Sequence, residues 1–373
     1  MVLKGKIFFM LNSTKIRSDF MSLKRLSVLL NILFMVSFSR YYNISVDAYN
    51  SNLDIRGITL KISLIQTAYE IYNVNVLNTN IYTEDLYKEF GKDAYTHYKW
   101  LKNTYKSMDK NMINCLENIF KYKNPSEYIN AVVELDDDSN LITIVSKIIN
   151  NKLLNLTPSL KKDIDSFFNY FYNEYFESYF NKNKNKFIKK AKNLNKILND
   201  CNVDIKKFIE NYSGLKLNDN FKTIFYFNFN PLSPYKFNSD NIIISTISID
   251  INAQDLLSLA FHSYSHSLFS EFAYDDEFLK IYNYIQDKNI IKNYDNYKTN
   301  YPFNIWCVEN LIEGFSKFLY YNYCKNIYEY NVYEYDLDFY NYLKDINFTP
   351  NEIHLKKASI NFLKLKINKN NIY

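Results

Sequence analysis

Glycine is scarce in this chain, and its scarcity excludes whole classes of fold. Only 5 of the 373 residues are glycine, and no two of them share a loop (Gly5, Gly57, Gly91, Gly214 and Gly314). Phosphate-binding loops such as G-x-G-x-x-G and G-x-x-x-x-G-K-[ST] need several glycines close together, because the backbone turns tightly and approaches the phosphate. Nucleotide-binding folds built on those loops are therefore excluded.

The net positive charge of the chain comes from its N-terminal residues. The formal net charge is +5, and residues 1–25 account for all of it with six basic side chains and one acidic one. The other residues are neutral in sum, so they create no net field that attracts phosphate groups. We therefore expect no general binding of nucleic acid.

Residues 24–39 have the pattern of a secretory signal. Lys24 and Arg25 precede an apolar run over 26–39, which ends in serines at positions 37 and 39. A basic segment, a short apolar segment and small terminal residues are typical of an export signal. The apolar run is shorter than the roughly 20 residues that a transmembrane helix needs. We predict a leader over 1–39, with Met21 as a possible true start, and an exported mature chain (periplasmic, secreted or at the cell surface) without a stable membrane span. A buried N-terminal helix or an uncleaved anchor is the alternative.

The four cysteines are far apart and form no C-x-x-C pair (Cys115, Cys201, Cys307 and Cys324). This spacing gives no support to a metal cluster held by thiolates. In an oxidising compartment the four can form up to two disulfides, and buried free thiols are the alternative.

The N-terminal region, residues 40–200, is predicted to be mainly helical. Residues 45–110 indicate mostly helix, and residues 141–154 indicate another helix after a polar break. Within 164–180 the bulky residues form one stripe, which is typical of an amphipathic helix packed on the core (Ile164, Phe167, Phe168, Phe171, Tyr175 and Tyr179). The run rich in Asn and Lys at 181–186 indicates a solvated linker or a helix end.

The pattern changes after about residue 215. β-Branched and aromatic residues dominate 223–229 and 242–249, with a turn-rich loop between them. These segments predict a pair of strands joined by a long connection. A helix is predicted to follow over 253–272, with Asn252 as its N-cap and Asp255 at its third position.

Strands among predominant helices predict an α+β fold that is mostly helical, with a small β-sheet before the helix that begins near residue 253. The region 201–373 is expected to form this α+β part. Together with the helical region 40–200 it is predicted to make one compact body.

Two of the four histidines form an H-x-x-x-H pair on that helix, His262 and His266. Residues four apart lie one turn apart on one helix face, so both imidazoles can reach a single metal ion. The alternative is two histidines that merely line a polar groove. His97 and His354 stand alone and are predicted to be surface or hydrogen-bonded core residues.

A further helix, predicted over 304–322, offers a third ligand. Glu309 and Glu313 are four apart on one face, and their neighbours Trp306 and Leu311 indicate that the helix is largely buried. A glutamate on a solvated helix face usually has no special role, whereas a buried glutamate needs a partner and is therefore a better candidate for a metal ligand. Either carboxylate could complete a zinc site, which needs three protein ligands and an open fourth position for hydrolysis.

These motifs resemble a family of exported bacterial proteins, the domain-of-unknown-function 4932 family, whose members have a helix of the form H-E-F-S-H-S-F and a later N-E-x-L-V-R-A helix. This chain has H-S-Y-S-H-S-L over 262–268 and V-E-N-L-I-E-G over 308–314. The segments 64–73 and 164–180 are also similar. The resemblance implies a gluzincin-like metallopeptidase with a zincin-like fold and with zinc held by His262, His266 and Glu309, since aligning the later motif favours Glu309 over Glu313.

The chain departs from that family at the position of the general base. In H-E-x-x-H sites the glutamate takes a proton from the zinc-bound water, but here the residue is Ser263. A serine hydroxyl does not titrate near neutrality. Losing a positioned general base costs roughly 10²–10⁴ in rate. None of the other nearby carboxylates is expected to reach the ion: Glu271 is on the opposite face of the helix, Asp255 is two turns from the histidines, and the others belong to the following loop (Asp275, Asp276 and Glu277). Glu313 could approach the ion as a base if Glu309 is the ligand.

Three functional hypotheses follow. The first is an exported, zinc-binding, metallopeptidase-like protein with impaired catalysis that binds a peptide or protein partner in its cleft. The second is an active zinc hydrolase with a substitute base, and the third is a surface structural protein that has lost the metal. A serine hydrolase is disfavoured because the chain has no G-x-S-x-G motif.

Overall fold

The computed structural model describes residues 53–77, 82–200, 204–217, 222–230, 236–238, 242–248, 250–290, 294, 302–325 and 331–370. The predicted leader over 1–39, the possible start at Met21 and Cys201 lie outside the described residues. Residues 49–373 form one compact unit. No helix in the described ranges is long and apolar enough to cross a membrane.

The N-terminal half consists of one short strand and a series of helices. In chain order the elements are β1 Leu53–Arg56, α1 Leu60–Tyr72, α2 Glu84–Glu89, α3 Lys92–Ser107, α4 Lys110–Lys121, α5 Pro125–Val132, α6 Leu141–Ile149, α7 Pro158–Phe171 and α8 Glu177–Asp200. Local signals begin several of them. Helix α5, for example, has Pro125 in its first turn and a capping box at its start. The side chain of Asn124 accepts a hydrogen bond from the backbone N–H of Ser126, and the side chain of Glu127 accepts one from the backbone N–H of Asn124.

The C-terminal half contains the rest of the sheet and the helices that carry the histidine motif. Its elements are α9 Ile205–Ser213, β2 Lys222–Asn228, β3 Lys236–Asn238, β4 Ile242–Ser248, α10 Ala253–Phe269, α11 Asp276–Asp287, α12 Phe303–Cys324, α13 Asp336–Asp345 and α14 Leu355–Asn370. The α+β class, mostly helical with a small sheet, is confirmed.

The four strands form one sheet in the order β1-β2-β4-β3. β1, β2 and β4 run parallel, with Leu53 opposite Thr223 and Lys222 opposite Ile242, and β3 pairs antiparallel to β4. The side chains of β2 after Lys222 and those of β4 between its ends are buried on both faces. Burial on both faces is typical of parallel strands. The predicted pair of strands is confirmed, and the two strands run parallel to each other.

The described residues within 45–110 are mostly helical, as predicted, but the sequence did not reveal strand β1. Leu53–Arg56 alternates buried and half-buried side chains and pairs with β2, some 170 positions further along the chain. Asn195 of α8 also bonds to the backbone of Ile55 on both its N–H and its C=O. Four residues carry too little periodicity to reveal a strand whose partners are so distant.

A one-residue insertion in the helical register changes the predicted aromatic stripe. A π-helical turn over Tyr172–Phe176 joins α7 to α8. It rotates the following residues, so Phe176 and Phe180 are buried whereas Tyr175 and Tyr179 are half-buried. The predicted buried positions are therefore confirmed as far as Phe171. Beyond it the buried positions are shifted by one residue, because the hydrogen bonds of a π turn join residues five apart.

Two predicted helix boundaries are also wrong. The polar run 181–186 is neither a linker nor a helix end, because α8 continues to Asp200 with most of this run facing solvent. The helix predicted over 141–154 ends at Ile149, and a separate 3₁₀ turn covers Lys152–Leu154. Residues 181–186 were misassigned because a solvated helix face can have the same polar composition as a loop.

Helix α12 runs through the core of the C-terminal half. Every residue from Trp306 to Tyr320 is buried. Gly314 lies where α13 crosses α12, and a Cβ added to it would be 2.6 Å from the carbonyl oxygen of Asp336. The absence of a side chain at Gly314 therefore permits the close approach of these two helices.

The isolated cysteines and histidines have ordinary structural positions. Cys115, Cys307 and Cys324 are free thiols, and His354 is exposed. His97 is buried and hydrogen-bonded at both ring nitrogens, which is the core alternative that the sequence left open.

Candidate metal centre

Helix α10 presents both histidines of the motif on one face. It begins directly after β4, and the side chain of Asn252 accepts a hydrogen bond from the backbone N–H of Asp255, so the predicted cap is confirmed. His262 and His266 are half-buried, and their Nε2 atoms are 3.1 Å apart. The two imidazoles therefore point their Nε2 atoms at the same space.

Helix α12 brings Glu309 to that space. Its carboxylate oxygen Oε2 lies 3.8 Å from Nε2 of His262 and 3.7 Å from Nε2 of His266. Each of the three residues offers one ligand atom, and these atoms all lie within 4.8 Å of one another. This group could hold a metal ion.

The spacing of the three atoms fits a small tetrahedral ion. Zinc–ligand distances of about 2.0–2.1 Å in a tetrahedron place the ligand atoms about 3.4 Å apart. The observed separations of 3.1, 3.7 and 3.8 Å bracket that value. Two nitrogens and one carboxylate oxygen are also a donor set that zinc accepts.

Glu313 lies on the opposite side of the His262 ring. Its Oε2 is 2.8 Å from Nδ1 of His262, and Nδ1 donates because a carboxylate only accepts. This bond fixes the tautomer of His262 and leaves its Nε2 lone pair for an ion. Between the two glutamates considered from the sequence, Glu309 is at the ligand position and Glu313 orients a histidine.

A buried ion pair supports Glu313 in turn. Lys317 is fully buried, and its ammonium group contacts Oε1 of Glu313 at 3.1 Å and the carboxylate of Asp336, which is also fully buried. Both oxygens of Glu313 are thus occupied, one by His262 and one by Lys317. Because Glu313 bonds to Nδ1 of His262 and not on the side of the Nε2 atoms, it is not positioned as the substitute base that the sequence suggested.

The same ion pair reaches a loop beside the ligands. Asp336 accepts hydrogen bonds from the backbone N–H groups of Val332 and Tyr333. The hydroxyl of Tyr333 lies 3.5 Å from Oε2 of Glu309. Sequence reasoning missed Lys317, Asp336 and Tyr333; only Lys317 carries a local signal, because it follows Glu313 by four residues on one helix.

Ser263 occupies a closed position next to His262. It is 1% exposed, and its hydroxyl is buried without a hydrogen-bond partner in the described structure. A short, unpaired hydroxyl offers no group that can accept a proton near neutral pH.

Three of the other carboxylates considered as bases, Asp255, Asp275 and Glu277, have structural partners elsewhere. Asp255 bonds to Asn252 at the start of α10, and burial raises its pKa. Asp275 caps α11, and its bond to Lys356 lowers its pKa. Glu277 pairs with Lys364, and Glu271 is exposed in the turn after α10.

The orienting role of Glu313 predicts a measurable effect on metal affinity. We expect Glu313→Gln to weaken Zn²⁺ binding by roughly 10–100-fold, because an amide accepts less strongly from Nδ1 of His262. Competition with a chromophoric chelator measures this affinity. Glu271→Gln serves as the control and should bind like the wild type, and an unchanged affinity of Glu313→Gln would contradict the role.

No protein family, no curated protein and no solved structure matches this chain, so the assignment of a function rests on the geometry of the site.

Proposed function

We propose that this chain is a zinc-binding, metallopeptidase-like protein of zincin-like fold whose catalysis is impaired and whose cleft binds peptide. The observation that carries the proposal is the convergence of two Nε2 atoms and one carboxylate oxygen on one point, with a second carboxylate on Nδ1 of His262. A carboxylate–histidine pair behind a ligand is the usual support of a metal site. The resemblance to exported bacterial metallopeptidase homologues is in agreement with it.

Zinc is the proposed ion because of the ligands and their number. Three protein ligands of the His, His, Glu type leave a fourth position for water or substrate, which distinguishes catalytic zinc sites from structural ones. When bound, zinc acts as a Lewis acid and lowers the pKa of a water molecule. His262, His266 and Glu309 would hold the ion.

The proposed impairment follows from Ser263. The buried hydroxyl leaves the position next to His262 without a proton acceptor. Rate losses of roughly 10²–10⁴ are expected when a positioned general base is absent. The site would then retain peptide affinity and lose turnover.

The compartment and partners are part of the same proposal. The basic and apolar pattern of residues 24–39 predicts export to the periplasm, the medium or the cell surface. A peptide or protein segment is the proposed partner, and nucleic acid is not, because the chain after residue 25 is neutral in sum.

Peptide binding and peptide cleavage by the zinc-loaded full chain separate the proposal from its alternative. We expect saturable binding of a fluorescent peptide library, lost on addition of a chelator, and no cleavage above that of His262→Ala. The exposed His354→Ala is the matched control. Cleavage that His262→Ala abolishes would establish the active zinc hydrolase instead.

A further inference from the structure

A second site lies at the carboxyl ends of the parallel strands. Helices α3 and α8 cover a cavity of about 120 Å³ there, beside Phe229 at the end of β2 and Ser248 at the end of β4. Open sheets with parallel strands bind ligands at this edge. The lining of the cavity shares no residue with the candidate metal centre.

The floor of this cavity is a buried chain of hydrogen bonds. His97 lines the cavity, with Nε2 2.8 Å from Oε2 of Glu70 and Nδ1 2.8 Å from the hydroxyl of Tyr179. The other oxygen of Glu70 accepts from the hydroxyl of Tyr87. Glu70 is fully buried, so its charge requires these donors.

The direction of these bonds determines what the floor offers a ligand. A carboxylate only accepts, so Nε2 of His97 carries a proton. Nδ1 of His97 bonds to the Tyr179 hydroxyl, and in either direction of this bond the Tyr179 oxygen keeps a lone pair that can accept from a donor in the cavity. Burial and the nearby carboxylate of Glu70 raise the pKa of Tyr179, so its hydroxyl stays neutral. The floor therefore suits a hydrogen-bond donor, and the negative charge of Glu70 behind it favours a cation.

The aromatic and charged residues that line the cavity further restrict which ligand it can bind. Tyr179, Phe187 and Phe229 give the lining an aromatic character, and aromatic rings attract ammonium groups. Tyr179 stacks on Trp100 and Phe229 stacks on His97, so the stacking fixes the positions of these rings.

Charged side chains of both signs line the cavity: Lys186 pairs with Asp93, and Asp250 and the exposed Lys182 are the others. A ligand with an ammonium group inside and a carboxylate outside matches this distribution.

We propose that this cavity binds a small zwitterionic amino acid, with its ammonium group toward the Tyr179 hydroxyl and its carboxylate at the rim beside Lys182. The cavity of about 120 Å³ suits a small ligand, since a cavity of about 150 Å³ holds benzene, which has six non-hydrogen atoms. Alanine has this size. The inference is independent of zinc binding.

Calorimetric titration of the full chain with L-alanine, methylammonium and acetate tests the proposal. We expect saturable L-alanine binding with a dissociation constant of about 1 mM or tighter, weaker methylammonium binding and no acetate binding. Because amino acids can chelate zinc, the titration is repeated with Glu309→Ala, in which L-alanine binding should be unchanged. Absence of L-alanine binding, or its loss in Glu309→Ala, would overturn the proposal.

Two variants locate the ligand in the cavity. Tyr179→Phe should weaken L-alanine binding by about 10–100-fold, because it removes the acceptor of a charged donor. Lys182→Ala, an exposed change that leaves the core intact, should weaken it by about 2–5-fold, and the exposed Lys189→Ala on the same helix should not. If Tyr179→Phe does not fold, the comparison of Lys182→Ala with Lys189→Ala decides. Equal affinities in those two variants would contradict the site.

Discussion

Ser263→Glu is expected to raise zinc-dependent peptide hydrolysis by roughly 10²–10⁴-fold over the wild type. The change restores the glutamate that follows the first histidine in H-E-x-x-H sites, where that residue serves as the general base. The serine hydroxyl that it replaces is buried and has no hydrogen-bond partner in the described structure. Initial rates with a quenched fluorescent peptide measure the gain.

Ser263→Gln is the matched control for this gain. The glutamine has the size and shape of glutamate and cannot act as the base, so it reports whether the closed position tolerates a longer side chain. Zinc content and thermal denaturation should agree between the two variants. Equal hydrolysis by both would mean that position 263 is not the missing base.

Lys317→Met is expected to lower the free energy of unfolding by about 3–5 kcal/mol. Lys317 is fully buried between two carboxylates, those of Glu313 and Asp336, and methionine keeps the apolar stem and removes the ammonium group. Two buried carboxylates then remain without their cation. Urea denaturation measures the loss as a fall in the transition midpoint at constant slope.

Lys364→Met provides the comparison with an exposed ion pair. Lys364 bonds to Glu277 at 3.0 Å, but both side chains are about half exposed. Exposed pairs contribute about 0–1 kcal/mol, so this variant should unfold close to the wild type. A loss of less than 1 kcal/mol in Lys317→Met would show that the buried network does not hold α12 and α13 together.

The elements that could be predicted from the sequence are those whose signals are local. The helix that carries the histidines has its cap at Asn252 and its apolar periodicity within a few residues, and β4 begins with three consecutive isoleucines. Strand β1 could not be predicted in the same way, because its identity depends on pairing with β2 far along the chain. The π turn after Phe171 also leaves no compositional trace.

The sequence could predict which residues come together in the candidate metal centre, but not the residues that support them. Four-residue spacing places His262 with His266 on one face, and it places Glu309 with Glu313 on another, so the sequence left either glutamate as the ligand. Only the crossing of α10 and α12 shows that Glu309 faces Nε2 and Glu313 faces Nδ1 of His262. Asp336 comes from a third element and has no sequence signal.

The zinc content of the purified full chain tests the central claim most directly, measured beside His266→Ala and Glu309→Ala. We predict about one equivalent of zinc in the wild type and under a tenth of an equivalent in each variant, because each removes one of only three protein ligands. His354→Ala, an exposed histidine outside the site, should keep the wild-type content. Under a tenth of an equivalent in the wild type, or full occupancy in either ligand variant, would contradict the account.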